Sequence, residues 1–452
     1  MKEKRSMFSG KLGFVLAAAG SAVGLGNIWR FPYLAARYGG GIFLLVYLIL
    51  VVSLGFSLMI AEVAIGRKTK LSAIGAFRKL SEKWKFLGYL ASVVPIIIFP
   101  YYCVIGGWVV KYLLVYATGG GMEAAGDTYF NDYIAKPAEP ILWLAVYIGL
   151  TAVIVFFGVQ KGIEKASRIM MPALVVLTLG VAAYSVTRPG ALEGVAYYLI
   201  PDFSRFSVNT VLGAMGQMFY SMSLAMGIMV TYGSYMKRED DLEKSVSQIE
   251  IFDTGIAFLA GLMVIPAVFA FSGGDETALD QGAGLMFVTL PKVFADAGTL
   301  GLVFGGVFFL LVLFAALTSS VSLMETVVSI FQDTFHWSRK FTCTLVMLGC
   351  LVLALPSSLG YGVLDWIAPL GFSLLDFFDF ISNSVLMPIV ALFTCLFVGW
   401  VVKPKLVIDE VKLSSSFSRE KLFVVVVRYI APVCILLILI SSVLDKLGVA
   451  MI

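Results

Sequence analysis

The chain has 452 residues, of which 60% are hydrophobic and only 14% charged, and its mean hydropathy is +0.94. A water-soluble core of this size does not tolerate so much apolar surface, so composition excludes a soluble domain and implies an integral membrane protein. The net charge of +4 is too small to imply nucleic-acid binding, and the lone His336 excludes a multi-histidine metal or haem site.

A membrane span needs about 20 largely apolar residues. In chain order, eleven stretches meet that length, centred roughly on residues 24, 53, 100, 149, 177, 223, 261, 317, 348, 387 and 434. The leading MKEKRSMFSGK runs straight into the first of them and reads as retained rather than as a cleaved signal. About two dozen of the 33 basic residues fall in alternate connections, from GRKTK through VKPKLVIDEVKLSSSFSREK, which marks those connections and the N-terminus as cytoplasmic. With eleven crossings the C-terminus is then extracellular. The opposite connections are acidic and glycine-rich, and LMFVTLPKVFADA within one of them is too short to cross and reads as a cap on the outer mouth. The five cysteines (Cys103, Cys343, Cys350, Cys395 and Cys434) all lie in apolar runs and read as small core residues. Nothing resembles a linker, so residues 1–452 are expected to form one membrane domain.

The first and sixth stretches share a flaw. GSAVGLGNIWR places Gly20, Gly24, Gly26, Asn27 and Arg30 inside an apolar run, and LGAMGQMFYSMSLAMGIMVTYGSY places Ser221, Ser223 and Gly227 mid-span. Gly20 and Gly24 alone would equally suit a close-packing seam in an unbroken helix. Asn27 and Arg30 have no use in such a seam. Unpaired backbone in hydrocarbon costs several kcal/mol, roughly 2–7 per group, so it persists where it lines a cavity or binds something. Five spans separate the two flaws, which makes the second half run inverted relative to the first.

GSAVGLGNIWRFPYLAARYGGGIF resembles the first-helix signature of the neurotransmitter:sodium symporters, and the resemblance continues through QMFYSMSLAMG, FAALTSS and LLDFFDF over nearly the whole chain. It implies an all-α fold of eleven transmembrane helices. Helices 1 and 6 would be broken within a 5+5 inverted repeat (about 10–187 and 208–402), followed by one additional helix near 421–446. It also implies two sodium ions. One would be held by Ala22, Asn27, Ser221 and Asp253 together with the substrate carboxylate, the other by Gly20, Val23, Ala315, Thr318 and Ser319. Oxygen donors of this kind suit a hard cation. For Thr318 and Ser319 the alternative is a hydroxyl bonded back to its own helix.

The same resemblance places an α-amino acid against Ala22, Leu25, Gly26 and Tyr102, with its side chain among Ile98, Phe219, Tyr220, Ser221, Ser223, Met226, Ser319 and Leu323. Monoamine carriers of the family have an aspartate at the position of Gly24, whereas glycine leaves room for a substrate with its own carboxylate. A mostly apolar wall with a flexible Met226 favours hydrophobic side chains, aliphatic and aromatic. Chloride-dependent relatives have asparagine at the position of Asp253 and serine one turn later, where this chain has Ala257, so transport is expected to need no chloride. Asp253 could then carry a proton back.

Charges in membrane segments pair or face a pathway, and the resemblance implies an outer gate between Arg30 and either Asp376 or Asp379 and an inner latch of Arg5 and Phe8 closing against Asp333, with Tyr235 and Glu325 nearby. Glu62 reads as support for the breaks. Gly162 and Pro172 in GIEKASRIMMP could let the inner end of helix 5 unwind, although ordinary helix-start chemistry explains them equally. Together these readings describe a bacterial cytoplasmic-membrane symporter that couples sodium to hydrophobic amino acids, a monomer or a dimer, and not an enzyme. A carrier of another small zwitterionic or carboxylated solute is the alternative. An intramembrane hydrolase would need a nucleophile and a base in one cavity, and the lone His336 reads as lying at a loop edge, while a channel would not tie sodium to a substrate.

Overall fold

The computed structural model describes residues 6–275 and 283–446, without the side chains of 442, 443, 445 and 446. The expected contribution of Arg5 lies outside these residues. Among the described residues the regular secondary structure is all helical, with one isolated antiparallel bridge between Gly40 and Pro201 and no strand.

We number the helices that build the bundle in chain order. α1 (Lys11–Ala22) and α2 (Gly26–Arg37) meet at a bend of 54°. α3 (Gly41–Thr69), α4 (Glu82–Ala117), α5 (Glu139–Phe156) and α6 (Val159–Val186) follow as continuous apolar helices. α7 (Val208–Ser221) and α8 (Ile228–Tyr235) are separated by 222–227. α9 (Leu242–Ser272), α10 (Gly298–Phe335), α11 (Arg339–Leu359), α12 (Leu374–Val401) and α13 (Glu420–Ser441) complete the set. Nine of these helices are long and apolar enough to cross a membrane, and the bent α1–α2 pair makes ten. α7 and α8 are each too short to cross alone, so an eleventh crossing requires taking the two together.

The breaks follow from local chemistry. Val23 is extended (φ −76°, ψ 101°) where α1 stops, and three glycines flank it. Between α7 and α8 the backbone is left-handed at Ser223 (φ 52°), Ala225 (φ 61°) and Gly227 (φ 70°). Two of those three carry a side chain, a conformation that survives only when the surroundings hold it. α7 begins in a capping box between Ser207 and Thr210, and Asp241 caps α9 by accepting from the Lys244 N–H at 3.0 Å. α8 lies tightly on α3: a Cβ at Gly66 would come 1.9 Å from the Val230 carbonyl oxygen. That approach fixes the second broken pair against α3.

Outward-facing positions stay apolar, as at Val153, Val176, Leu353 and Val433, each more than half exposed, which suits a lipid-facing surface. On the face opposite the N-terminus, residues 285–296 form two short helical segments whose Phe287 stacks on Phe130 at 5.0 Å and meets Trp108 edge-on at 5.8 Å. The short apolar stretch of the loop thus packs over the helix ends as a cap.

Candidate substrate and sodium site

Both breaks open onto one cavity. Its lining includes Ala22, Leu25, Gly26, Ile98, Tyr102, Tyr220, Ser221, Ser223, Met226, Ser319 and Leu323, and also Ser21, Gly24, Asn27 and Ile228. Phe219 does not line it. One residue before Tyr220 on α7, its side chain turns about 100° away and packs in the core. The cavity measures about 30 Å³, space for two or three waters at roughly 10–15 Å³ each. An amino-acid side chain therefore enters only if a wall residue yields. Met226, unbranched and only 4% exposed, and the Tyr220 ring are suited to do so.

At the polar end, the Leu25 N–H at the start of α2 donates to the Tyr102 hydroxyl at 3.4 Å. Gln217, not singled out from sequence, donates to the Gly26 carbonyl at 2.9 Å and ties α7 to the same turn. The N–H groups at a helix start beside a phenol favour an anion such as a carboxylate.

Asn27, Ser221 and Asp253 are buried together. The Asn27 amide donates to Asp253 Oδ1 at 2.8 Å and to the Ser221 hydroxyl at 3.0 Å, and Ser221 donates to Asp253 Oδ1 at 2.7 Å. Tyr47 adds a longer bond to Asp253 Oδ2, 3.4 Å. Tyr47 was missed because a lone tyrosine in an apolar run reads as core. Asp253 and Ser221 bring oxygens of the kind a hard cation takes into the bundle interior, while Asn27 turns its amide nitrogen to them and accepts from the Gly24 N–H with its oxygen at 3.1 Å.

The second candidate set also comes together. A Cβ at Gly20 would stand 3.1 Å from Thr318 Cβ, and the Ser319 hydroxyl donates to the carbonyls of Ser21 (3.1 Å) and Val23 (3.4 Å). Thr318 instead donates back to Phe314 and Ala315 of its own helix, 3.0 Å each. The two adjacent hydroxyls thus behave differently, one across the break and one along α10. Ser319 thus both lines the cavity and bonds across the break in the first broken pair.

Glu62 Oε1 accepts from the Ala225 N–H at 2.8 Å, holding the left-handed segment between α7 and α8. Glu62 Oε2 has no partner among the described residues.

The expected outer gate is not a direct ion pair here. Arg30 lies over the Tyr220 ring, 5.1 Å from its centroid. Asp379 accepts from Tyr101 (3.1 Å) and Asn383 (2.5 Å), and Asp376 is engaged with Ser373 at the start of α12, 2.7 Å. Arg30, Asp376 and Asp379 instead line a second cavity of about 890 Å³ bounded by the end of α2 and the starts of α7 and α12. Tyr220 belongs to both cavities and separates them.

The N-terminal face is closed. Phe8 is fully buried against Phe14, Tyr232 and Tyr235, and its N–H donates to the Tyr235 carbonyl at 3.1 Å. Tyr235 donates to Glu325 at 2.7 Å, and Glu325 is paired with Arg339, which sequence reading did not single out. Asp333 accepts from the Ser72 N–H at 2.7 Å. Glu164 accepts from the Ser9 N–H at 2.9 Å and pairs with Arg168 at 2.7 Å, fastening the N-terminal segment to α6. α6 is helical from Val159 to Val186, with Gly162 in a first turn of π-helical form and Pro172 inside the α-helical part. Gly162 has a packing reason of its own: a Cβ there would lie 1.9 Å from the Ile154 carbonyl oxygen.

The sequence matches the family described as "Sodium:neurotransmitter symporter family" over residues 5–120 and 128–449. It is 33% identical to an uncharacterized sodium-dependent transporter, YhdH, of Bacillus subtilis, over 97% of this chain and 98% of that one. The human "Sodium- and chloride-dependent GABA transporter 2" is 24% identical over 90% of this chain and 75% of its own. Among solved structures, that of MhsT in complex with L-phenylalanine superposes with a TM-score of 0.88 at 39% identity, over 97% of this chain and all of that one.

Proposed function

The chain belongs to the sodium:neurotransmitter symporter family and is a multi-pass, sodium-coupled membrane transporter rather than an enzyme; from that premise, we propose that it carries hydrophobic α-amino acids, aliphatic and aromatic, together with two sodium ions. We take α1–α2 and α7–α8 as the two broken spans of an eleven-helix inverted repeat within a single membrane domain. The N-terminus is placed in the cytoplasm and the C-terminus outside, because the basic connections lie on the N-terminal face.

The observation that carries the reading is the convergence of the Leu25 N–H, the Tyr102 hydroxyl, Asn27 and Ser221 on one cavity, with Asp253 bonded to the last two. A substrate carboxylate held at the start of α2 adjoins the first sodium position, so ion and substrate share a contact. The ammonium group then meets carbonyls of Ala22, Tyr220 and Ser221. Ile98, Met226, Ile228 and Leu323 form an apolar wall that disfavours charged side chains through desolvation. The likeness to an L-phenylalanine-bound structure supports an aromatic as one accepted side chain.

Alternating access then moves Tyr220 and the vestibule around Arg30 on one side, and the Phe8, Glu325 and Glu164 contacts on the other. Asp253 is the group proposed to return protonated.

Purified protein in liposomes tests this directly. An inward sodium gradient is expected to drive accumulation of labelled leucine and phenylalanine at least about tenfold over potassium controls, a coupling of about 1.4 kcal/mol. Equal uptake with potassium would overturn the proposal, and accumulation of only non-amino-acid carboxylates would favour the alternative substrate class.

A further inference from the structure

α13 carries one charge inside its apolar stretch, Arg428, in VVVVRYIAPVCILLILI. Charged side chains within a membrane segment are rare and have a reason. Part of the reason is local. α12 ends at Val401, with Lys403 in a left-handed conformation (φ 64°) and Pro404 without an N–H, so the last carbonyls of α12 lack helical donors. Arg428 Nε donates to one of them, Gly399 O, at 3.1 Å.

That bond uses one nitrogen of five donor positions, and the guanidinium makes no ion pair among the described residues. Its other neighbour is the face of Trp400, 5.8 Å from the ring centroid. Trp400 and Tyr429 meet edge-on at 6.0 Å and are both more than half exposed, on the outer surface of the bundle. Tryptophan and tyrosine pairs of this kind sit at headgroup level. Lys403 and Lys405 follow just beyond the end of α12, and Lys421 lies seven residues before Arg428, on the same stripe of α13. All three lysines are exposed and, among the described residues, without an ion pair.

We propose that the seam between α12 and α13 binds the phosphodiester of an anionic phospholipid in the leaflet on the N-terminal side. The free fork of Arg428 takes the phosphate oxygens, Trp400 and Tyr429 flank the glycerol region, and the lysines supply the preference for net negative charge. Guanidinium suits this role because two parallel N–H groups match two phosphate oxygens.

The test is lipid retention by the full-length protein extracted from vesicles of equal phosphatidylglycerol and phosphatidylcholine, read by native mass spectrometry. Wild type is expected to retain phosphatidylglycerol preferentially, and Arg428→Gln to lose about fivefold of that preference, the effect of about one surface charge. Arg428→Gln also removes the Gly399 bond, so the double variant Trp400→Leu with Lys421→Gln, which leaves that bond in place, is measured alongside and should lose a similar factor. Unchanged preference in the double variant, or in a folded Arg428→Gln, would overturn the assignment. Displacement of the lipid by millimolar inorganic phosphate would show a free-phosphate site instead and would equally overturn it.

Discussion

Gly24→Asp should abolish amino-acid uptake. A Cβ at position 24 would fall 2.5 Å from Ser319 Oγ and 3.1 Å from the Tyr102 hydroxyl, so even the first added carbon displaces both groups. Ser319 can rotate, but its bonds to the Ser21 and Val23 carbonyls hold part of the break together. The added carboxylate then lies beside the Leu25 N–H and the Tyr102 hydroxyl, where the substrate carboxylate is proposed to bind. Two carboxylates in a cavity of low polarity repel strongly, and like charges placed together cost several kcal/mol, on the order of a 1000-fold loss of affinity. Binding of labelled leucine, after thermal unfolding has shown the variant to be folded, measures the effect. Wild-type affinity in a folded Gly24→Asp protein would place the substrate elsewhere.

Asp253→Asn should cost about 100-fold or more in sodium-driven uptake, while wild-type uptake should be unchanged when gluconate replaces chloride. Asp253 is fully buried and holds Asn27, Ser221 and Tyr47 through its two oxygens. It is the one formal negative charge that the protein's own residues bring to the proposed first ion, beside the carboxylate of the substrate. Leaving a buried cation without its counter-charge costs about 3–5 kcal/mol, which sets the expected size. One turn further on, Ala257 is also fully buried and offers no hydroxyl to a chloride ion. The asparagine variant is nearly the same shape, so a loss of activity there reports charge rather than packing. Strong chloride dependence in the wild type, or full activity in Asp253→Asn, contradicts this assignment.

The sites readable in the sequence were those where an apolar stretch carries groups that hydrocarbon does not tolerate. Asn27 and Ser221 stand out in that way and line one cavity, whereas Asp253, which bonds both, was implied by the family resemblance. Pairings that depend on the direction of a side chain were not readable. Arg30 and the α12 aspartates share a vestibule, yet Arg30 rests on Tyr220 while Asp379 is occupied by Tyr101 and Asn383. Phe219 and Tyr220 are adjacent in sequence, and only the rotation of α7 separates core from cavity. Thr318 and Ser319 differ in the same way. The contacts closing the N-terminal face, Glu325 with Arg339 and Ser9 with Glu164, join residues that no local pattern links.

The central claim is that sodium and substrate are bound in contact, and the dependence of substrate affinity on sodium tests it most directly. Binding of labelled phenylalanine to the purified protein would be titrated at sodium concentrations from about 1 to about 100 mM, with potassium holding ionic strength constant. A shared ligand makes the coupling reciprocal, so the dissociation constant should fall at least about tenfold across that range. A dissociation constant indifferent to sodium would contradict the shared site.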